Sequence, residues 1–444
     1  MSAQQKHCSP YNVYERKPLM KKSILLTAAI TLLCGAQVAL AATIMPNTPA
    51  ECNNVQTWLK PAGNNVLATP ARIKAMNKAM LSDTMCDLTA YPTTISGTTL
   101  AKYINHYEMD YDQYVNGSHL SRATADALLA DAKANIPTTT QVRYGVVSAR
   151  SDLRSFPTLL RAFDSPGDVN FDNWQETAVD PGEAALILHQ NSKGNFYFVQ
   201  LKSYRGWLPA NKVAVTDRKT FLEFADPHDF GVVTEKLLTV SGAGSSYWLY
   251  QMGSKIPLSA KGRVILPFRN NKGYLSPVEM PAPWNEGLHK GYLPYTANNL
   301  VTMAFKHLGA PYGWGGMKDS VDCSAFAQDV YKTMGIELPR NGDEQENAWP
   351  GTKLKGLGWT TRDNIIKALP TGSLLFTPSH VMIYLGLYKN RPYMIHALGS
   401  YGAPTADGGF YKNRIMQVVV SDIYLKGGSG TNLLMQMTKA NSYK

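Results

Sequence analysis

The sequence predicts a multidomain protein with a helical N-terminal region, two small all-β barrels and an α+β domain at the C-terminal end. Three observations predict this order. Apolar residues recur at helical spacing up to residue 137, and short alternating apolar runs broken by glycine and proline follow from residue 138. From residue 286 onward, a helix, a glycine-rich loop, a cysteine-bearing helix and histidine-bearing strands succeed one another. A chain of 444 residues usually contains about two to four domains.

Residues 1–41 have the pattern of a secretory signal peptide. Lys21-Lys22 precedes an apolar run from Ile24 to Leu33, and Ala39-Leu40-Ala41 supplies small residues for cleavage after the last alanine. The apolar run is too short to span a bilayer. We therefore expect a periplasmic or secreted protein with no stable membrane anchor after cleavage. The residues before Met20 are either an extended basic region or the product of an upstream start codon.

The net charge of the chain bears on which macromolecules it can bind. The chain carries +11, and loss of the leader, with five basic residues and one acidic residue, leaves +7. A modest positive charge suits an anionic cell-wall polymer and is also ordinary for a soluble protein. No nucleic-acid-binding motif accompanies the charge, so we expect no nucleic-acid partner.

Residues 42–137 are predicted to form a helical domain. Thr69 is placed to cap a helix that has Pro70 at its first position, and Ser121 opens a second helix that Pro137 ends. The region carries no set of residues with catalytic chemistry. We therefore interpret it as a packing domain that supports its neighbours.

Residues 138–220 and 221–285 are each predicted to form a small barrel. Strand-like runs in the first include 184–189 and 196–201, with turn glycines between them. Strand-like runs in the second include 248–250 and 264–266. The two sets are not an exact internal repeat.

Cys323 is the centre of the last predicted domain, residues 286–444. Thr296 is predicted to cap a helix that Gly309 stops, and a glycine-rich run then leads to Asp322-Cys323-Ser324 at the start of a second helix. Backbone N–H groups and the positive end of the helix dipole favour a thiolate there. The glycines allow backbone and substrate to approach closely. On the local sequence alone, a buried structural cysteine is the alternative.

Two histidines supply partners for a nucleophile. His380 begins an apolar strand, His396 lies inside the next, and a polar turn joins the two strands. Adjacent antiparallel strands can bring two side chains within hydrogen-bond reach. We predict that Cys323 attacks an amide carbonyl as a thiolate, that His380 balances it as an imidazolium and protonates the leaving amine, and that His396 orients His380. A metal ion held by the same three side chains is the alternative, but the thiol at a helix start favours catalysis and we expect no metal.

Short motifs follow one another in a specific order in the last domain. They are Tyr312-Gly313-Trp314-Gly315-Gly316, Asp322-Cys323-Ser324, Leu338-Pro339-Arg340, Leu375-Phe376 with His380-Val381, and Ile395-His396-Ala397. As an ordered set they resemble the NlpC-type cell-wall cysteine peptidases, a papain-like family, over residues 293–434. Two residues depart from the family, since Ala325 and Met382 stand where it often has glycine and could crowd the thiol. The run Tyr204-Arg205-Gly206-Trp207 makes the two barrels resemble tandem bacterial Src-homology-3-like domains.

Side chains around the thiol are candidates for substrate binding. The backbone N–H of Cys323 and the Tyr312 hydroxyl could stabilise the oxyanion. The resemblance implies that Asp322 and Ser324 meet the amino end of the substrate, although Asp322 could simply cap the helix. Arg340 could bind a substrate carboxylate through two hydrogen bonds, or form a surface ion pair.

The resemblance also implies a role for the first barrel. In the related endopeptidases this barrel closes one end of the groove, so that only a peptide with a free amino end enters. Here Glu176 and Tyr204 are the candidates for closing the site. The alternatives are that Tyr204 fills the barrel and that Glu176 is solvated.

Cysteine usage predicts one disulfide. Cys8 and Cys34 leave with the leader, so the mature chain keeps Cys52, Cys86 and Cys323. One disulfide and one free thiol are the natural division in an oxidising compartment. We therefore predict a bond between Cys52 and Cys86.

The resemblance implies an endopeptidase that cuts the γ-D-glutamyl-diamino acid bond of peptidoglycan stem peptides with a free N-terminal L-alanine. Such peptides are the expected partners, and we expect a monomer that needs no cofactor. Two other functions stay open. One is a cell-wall-binding protein with an inactive papain-like domain, and the other is an amidase or acyltransferase on the same core.

Overall fold

The computed structural model describes residues 42–242 and 246–444. The predicted signal peptide at residues 1–41 lies outside the described residues. Within the described part of the chain, no helix combines the length and the apolar character that crossing a membrane requires.

The N-terminal region consists of short helices separated by small β-ladders. The Thr69 hydroxyl accepts a hydrogen bond from the Arg72 N–H at the first helix, and Ser121 does the same for Thr124 at the third. Both predicted helix starts are therefore confirmed. The elements are α1 (Pro70–Ala79), β1 (Thr94–Ser96), α2 (Gly97–Ile104), β2 (Tyr114–Val115), β3 (Ser118–His119), α3 (Arg122–Lys133) and β4 (Thr139–Gln141).

Apolar side chains of this region pack into the cores of two neighbouring domains. Trp58 and Met76 lie in one apolar cluster with side chains of the last domain, among them Tyr393. Leu100, on α2, lies in a second cluster with Trp207 of the first barrel. The N-terminal region therefore packs against both the last domain and the first barrel, as expected for a domain that supports its neighbours.

The first barrel is built on a continuous antiparallel sheet with the order β12-β5-β9-β10-β11-β6-β8. Phe198 pairs with Trp207 across two of its strands, and their buried rings lie 5.2 Å apart. The predicted all-β fold is confirmed. The strands are β5 (Arg143–Val147), β6 (Ser151–Arg154), β7 (Ala162–Phe163), β8 (Gln175–Val179), β9 (Ala184–Gln190), β10 (Phe196–Gln200), β11 (Arg205–Pro209) and β12 (Val213–Thr216), with β7 pairing to β2 instead of joining the sheet.

A second sheet-rich unit follows the helix α4 (Arg218–Ala225). Its strands form the small antiparallel sheets β16-β13-β19, β14-β15 and β17-β18. They enclose a core that includes Trp248, Ile256 and Leu288. The strands are β13 (Phe230–Val233), β14 (Leu237–Ser241), β15 (Tyr247–Gln251), β16 (Lys255–Pro257), β17 (Val264–Leu266), β18 (Val278–Met280) and β19 (Leu288–Lys290).

The last domain packs helices on both faces of an antiparallel sheet with the order β20-β25-β21-β22-β23-β24. Apolar residues alternate between the faces, so that Ile383 joins the core under Phe326 of the cysteine helix while Met382 joins the core on the opposite face. Met382 is thus a core residue. The elements are α5 (Ala297–Lys306), α6 (Cys323–Lys332), α7 (Gly342–Ala348), β20 (Gly351–Lys353), α8 (Trp359–Lys367), β21 (Leu374–Thr377), β22 (His380–Tyr388), β23 (Arg391–Pro404), β24 (Phe410–Asp422), α9 (Leu433–Gln436) and β25 (Lys439–Asn441).

Hydrogen bonds between polar side chains join the two sheet-rich units to the last domain. The Arg150 guanidinium pairs with Asp180 inside the first unit and donates to Asp319 of the last domain at 2.9 Å. Gln251, in β15, donates its backbone N–H to Asp180 at 3.1 Å and its side-chain amide to Asp329 of α6 at 2.6 Å. The last domain is therefore attached to the first unit through Asp319, in the loop before the cysteine helix, and to the second unit through Asp329 on that helix.

We expect Asp329→Asn to stabilise the protein at alkaline pH. Burial raises the pKa of Asp329 to about 7. The free energy of unfolding therefore decreases as the pH rises from the ordinary aspartate pKa to this value, because the folded state holds the proton more tightly than the unfolded state. An asparagine keeps an acceptor for Gln251 without the charge. Melting temperatures should therefore agree near pH 4 and favour the variant at pH 8, and a variant that melts below the wild type at pH 8 would contradict the assignment.

Candidate functional site

The glycine-rich loop before the cysteine lies against strand β8 of the first barrel. Gly315 and Gly316 both have positive φ angles, 55° and 83°. A Cβ atom at Gly315 would stand 2.9 Å from the Gln175 carbonyl oxygen, and one at Gly316 would stand 2.9 Å from the Ala178 nitrogen. The glycines are therefore required by the close approach of the barrel as well as by their backbone conformation.

Asp322 holds the start of the cysteine helix. Its carboxylate accepts the Ala325 N–H at 2.9 Å as an N-cap, and it also accepts the Gly315 N–H at 3.0 Å. Cys323 is the first residue of α6, as the sequence predicts. The capping role of Asp322 is confirmed. Ala325, which departs from the family pattern, is buried in the first turn, where its N–H makes this capping bond.

The charge state of the thiol differs from the prediction. Although Cys323 keeps part of its surface exposed, removal of water raises its thiol pKa to about 11, with the adjacent Asp322 carboxylate as the second cause. Removal of water also lowers the pKa of His380 to about 4. At neutral pH both side chains are therefore neutral. Both pKa shifts favour a neutral thiol and a neutral imidazole over the predicted thiolate and imidazolium.

The two predicted histidines meet. His380 Nε2 lies 2.7 Å from His396 Nδ1. His396 is fully buried, and burial together with His380 keeps its pKa well below the usual value. His396 Nε2 lies 3.0 Å from the hydroxyl of Ser421, on β24. Sequence reasoning missed Ser421, because a serine inside an apolar strand gives no signal until the strands are paired.

Arg340 forms a buried ion pair with Asp322. One guanidinium nitrogen lies 2.6 Å from Asp322 Oδ2, another donates to Ser324 Oγ at 2.9 Å, and the third donates to Thr177 of the first barrel at 2.8 Å. Arg340 is 4% exposed, so the alternative of a surface ion pair is wrong. These contacts also bind the guanidinium to the protein's own oxygens, which leaves it unavailable for the predicted substrate carboxylate.

Glu176 and Tyr204 form a polar cluster beside this ion pair. The Tyr204 hydroxyl donates to Glu176 Oε2 at 2.7 Å, Ser155 donates to the other carboxylate oxygen, and Asn341 donates to the Tyr204 hydroxyl at 3.3 Å. Both side chains are half-buried. Asn341 is the neighbour of Arg340 in the chain, and Thr177 is the neighbour of Glu176. The contacts of Asn341 with Tyr204 and of Arg340 with Thr177 therefore place this cluster of the first barrel beside the ion pair at the start of the cysteine helix.

Tyr312 lies in the wall of the same site. It is buried, its N–H donates to the Met416 carbonyl at 2.8 Å, and its ring lies 6.0 Å from that of Phe171 in the first barrel. Burial raises the pKa of Tyr312, and the nearby Cys323 and Asp322 raise it further. Its phenol therefore remains a hydrogen-bond donor at all working pH values.

The predicted disulfide is wrong, because Cys52 and Cys86 are both free. Cys52 is fully buried in the cluster shared with the last domain, whereas Cys86 packs beside the first barrel and donates to the Asp83 carbonyl at 3.4 Å. The two cysteines therefore belong to different apolar clusters, one shared with the last domain and one shared with the first barrel. Among residues 42–242 and 246–444, no group of three histidine, cysteine or acidic side chains is placed to hold a metal ion.

Two domain families match the chain. Residues 309–420 match the NlpC/P60 family, and residues 161–209 match the SH3 domain of the SH3b1 type. The first range contains Cys323, His380 and His396, and the second contains Tyr204. Both matches agree with the resemblances noted in the sequence.

Several known proteins are similar to parts of this chain. The gamma-D-glutamyl-L-lysine dipeptidyl-peptidase of Bacillus cereus is 28% identical over 162 residues, which cover 32% of this chain and 44% of that protein. The probable endopeptidase p60 of Listeria innocua is 32% identical over 99 residues, 22% of this chain and 19% of that protein. The chain thus spans less than half the length of these relatives. A solved NlpC/P60 endopeptidase from Photobacterium damselae subsp. piscicida superposes with a TM-score of 0.71 at 18% identity, covering 87% of this chain and 97% of that one, and so shares its fold.

We expect Arg340→Met to destabilise the protein by about 3–5 kcal/mol, because it leaves the Asp322 carboxylate buried without its partner. Arg263→Met is the control, since the Arg263–Glu279 pair is exposed and should contribute less than about 1 kcal/mol. Denaturant unfolding of both variants measures the difference.

The stability that the Arg340–Asp322 pair contributes should depend on pH. Burial raises the pKa of Asp322, but the Arg340 charge and hydrogen bonds outweigh this and hold it below its usual value. The stabilisation is therefore complete above about pH 4 and fades as acid protonates the carboxyl. Equal losses in the Arg340 and Arg263 variants at pH 7 would contradict a structural role for the buried pair.

Proposed function

We propose that this protein, which contains an NlpC/P60 domain and an SH3b-type domain, is a cysteine peptidase that cleaves peptidoglycan stem peptides outside the cytoplasm. The observation that carries the proposal is the position of Cys323 at a helix N-terminus in one domain with the hydrogen-bonded His380–His396 pair. A nucleophile, a base and a group that orients the base are the components that acyl transfer requires.

The neutral pair defines the first chemical step. As Cys323 Sγ attacks the amide carbon, its proton passes to His380, which acts as a general base. The Cys323 backbone N–H and the Tyr312 hydroxyl are the proposed donors to the oxyanion. His380 then gives the proton to the leaving amine as the C–N bond breaks. Water, deprotonated by the same imidazole, hydrolyses the thioester and releases the carboxylic acid and the free thiol.

The charges around the site favour a substrate with a free amino end. Asp322 is neutralised by Arg340, whereas Glu176 accepts only from the Ser155 and Tyr204 hydroxyls. In the described residues no cation lies within ion-pair distance of Glu176. A substrate ammonium would supply the missing charge, and we propose that the N-terminal L-alanine of a stem peptide binds here. The peptidase activity in the name of the Bacillus cereus relative supports the γ-D-glutamyl-diamino acid bond as the one cleaved.

Replacing the nucleophile tests the activity. Cys323→Ala should lower the cleavage of stem peptides, followed by mass spectrometry of the products, by at least about a thousandfold, with an unchanged melting temperature. Cys86→Ala, at a free cysteine outside the site, should keep full activity. Cleavage by the Cys323 variant within a few-fold of the wild type would exclude this cysteine as the nucleophile. Products carrying an added acyl acceptor in place of water would instead indicate an acyltransferase.

Replacing Glu176 tests the amino-end proposal. The wild type should cleave peptides with a free L-alanine and spare the same peptides joined to muramic acid. Glu176→Gln should lower kcat/KM for the free peptide by about 10–100-fold, the size of a lost charge-assisted hydrogen bond, and so reduce the discrimination. Glu279→Gln, at an exposed glutamate of the second sheet-rich unit, is the control. Equal cleavage of free and muramic-acid-linked peptides by the wild type would show that the barrel does not select the amino end.

A further inference from the structure

Behind the histidine pair, a chain of hydrogen bonds ends on the backbone. His380 Nε2 lies 2.7 Å from His396 Nδ1, His396 Nε2 lies 3.0 Å from Ser421 Oγ, and Ser421 Oγ donates to the Asp422 carbonyl at 3.2 Å. A carbonyl oxygen can only accept. The direction of the last bond is therefore fixed, and the directions of the others follow from it.

We propose that Ser421 is a positioning residue that sets the proton positions on both histidines, so that His380 has a free nitrogen for the thiol. The inference rests on the proposed function, because it assigns how the base of that reaction is prepared. Ser421 donates its only proton to the Asp422 carbonyl, so its oxygen accepts from His396 Nε2–H. A neutral imidazole carries one proton, so His396 Nδ1 is bare and accepts from His380 Nε2–H.

The consequence reaches His380 Nδ1. With its proton on Nε2, neutral His380 has a lone pair on Nδ1, the nitrogen that is not bonded to His396. In the proposed reaction this lone pair takes the proton from Cys323. After this transfer His380 is protonated on both nitrogens, and its Nε2–H still donates to His396, so no bond behind it has to reverse. If Ser421 donated to His396 instead, the protons would sit on Nδ1 of both rings and the base would be blocked.

Burial and the contacts of Asp422 hold the hydrogen bonds of His396 and Ser421 in one direction. Ser421 and His396 are both fully buried, so water cannot replace either partner. The backbone carbonyl that takes the serine proton belongs to Asp422, whose side chain accepts from Arg391 at 2.7 Å and from the Tyr424 N–H at 2.8 Å. The same carbonyl also accepts the Leu425 N–H at 3.4 Å.

The strand register places the serine where the chain of bonds needs it. His396 pairs with Val419 across β23 and β24, and Ser421 is two residues further along the strand. Since side chains alternate along a strand, His396, Val419 and Ser421 share one face of the sheet. Ser421 is therefore the diagonal neighbour of His396, within side-chain reach.

The proton positions are measured directly by NMR of the full chain with ¹⁵N-labelled histidine. In the wild type near pH 7, His380 and His396 should each be protonated at Nε2 alone, and in Ser421→Ala the His396 signal should change to a mixture of both forms. Ser373→Ala is the matched control, because Ser373 is a buried serine of the same domain that donates to the Pro370 carbonyl, and it should leave both histidines unchanged. A wild-type His396 protonated at Nδ1 would overturn the proposal even if no variant folds.

Kinetics separate positioning from simple stability. Ser421→Ala should lower kcat for stem-peptide cleavage by about 10–100-fold, the effect known for removing the hydrogen-bond partner of a metal-binding histidine, with KM within twofold of the wild type. Ser421→Thr, which keeps the hydroxyl, should recover most of the loss. A Ser421→Ala variant with kcat within twofold of the wild type would contradict the inference. The NMR measurement needs no substrate, so failure of the wild type to cleave peptides would refute the proposed function without deciding the proton positions.

Discussion

The buried ion pair between Asp322 and Arg340 is the interaction on which the rest of the site depends. One carboxylate caps the cysteine helix, accepts from the glycine-rich loop and pairs with a guanidinium that also contacts the first barrel. Removing two charges from water costs several kcal/mol per ion, and only dense hydrogen bonding offsets it. Here each Asp322 oxygen has protein donors, so the helix, the loop and the barrel are held in one arrangement.

The same carboxylate has a chemical cost. It stands next to Cys323 and raises the thiol pKa, while Arg340 partly offsets its charge. A resting thiolate is unfavourable beside this carboxylate. The proposed mechanism therefore needs a base that removes the thiol proton during the attack. In the proposed mechanism His380 is this base: exclusion of water lowers its pKa and keeps it neutral, and its hydrogen bond to His396 fixes its orientation.

The first barrel belongs to the site as much as the last domain does. Strand β8 packs on Gly315 and Gly316 so closely that neither position accepts a Cβ atom without displacement. The next residues of the strand supply Glu176 and Thr177, which contact Tyr204 and Arg340. A wall that comes from a separate domain can restrict which end of a substrate enters without any change to the groups that perform the chemistry.

The sequence alone was sufficient for the multidomain fold class, for the helix starts at Thr69, Ser121, Thr296 and Asp322, and for the contact between His380 and His396. Caps, strand alternation and short motifs are local patterns, and local hydrogen bonding and side-chain periodicity produce them whatever surrounds them. The tertiary structure alone decided that Arg340 pairs with Asp322, that Cys52 and Cys86 stay apart, that burial raises the thiol pKa, and that Ser421 lies behind His396. Each of these depends on the distance between residues far apart in the chain and on how much water their packing excludes, and neither quantity is encoded in a local pattern.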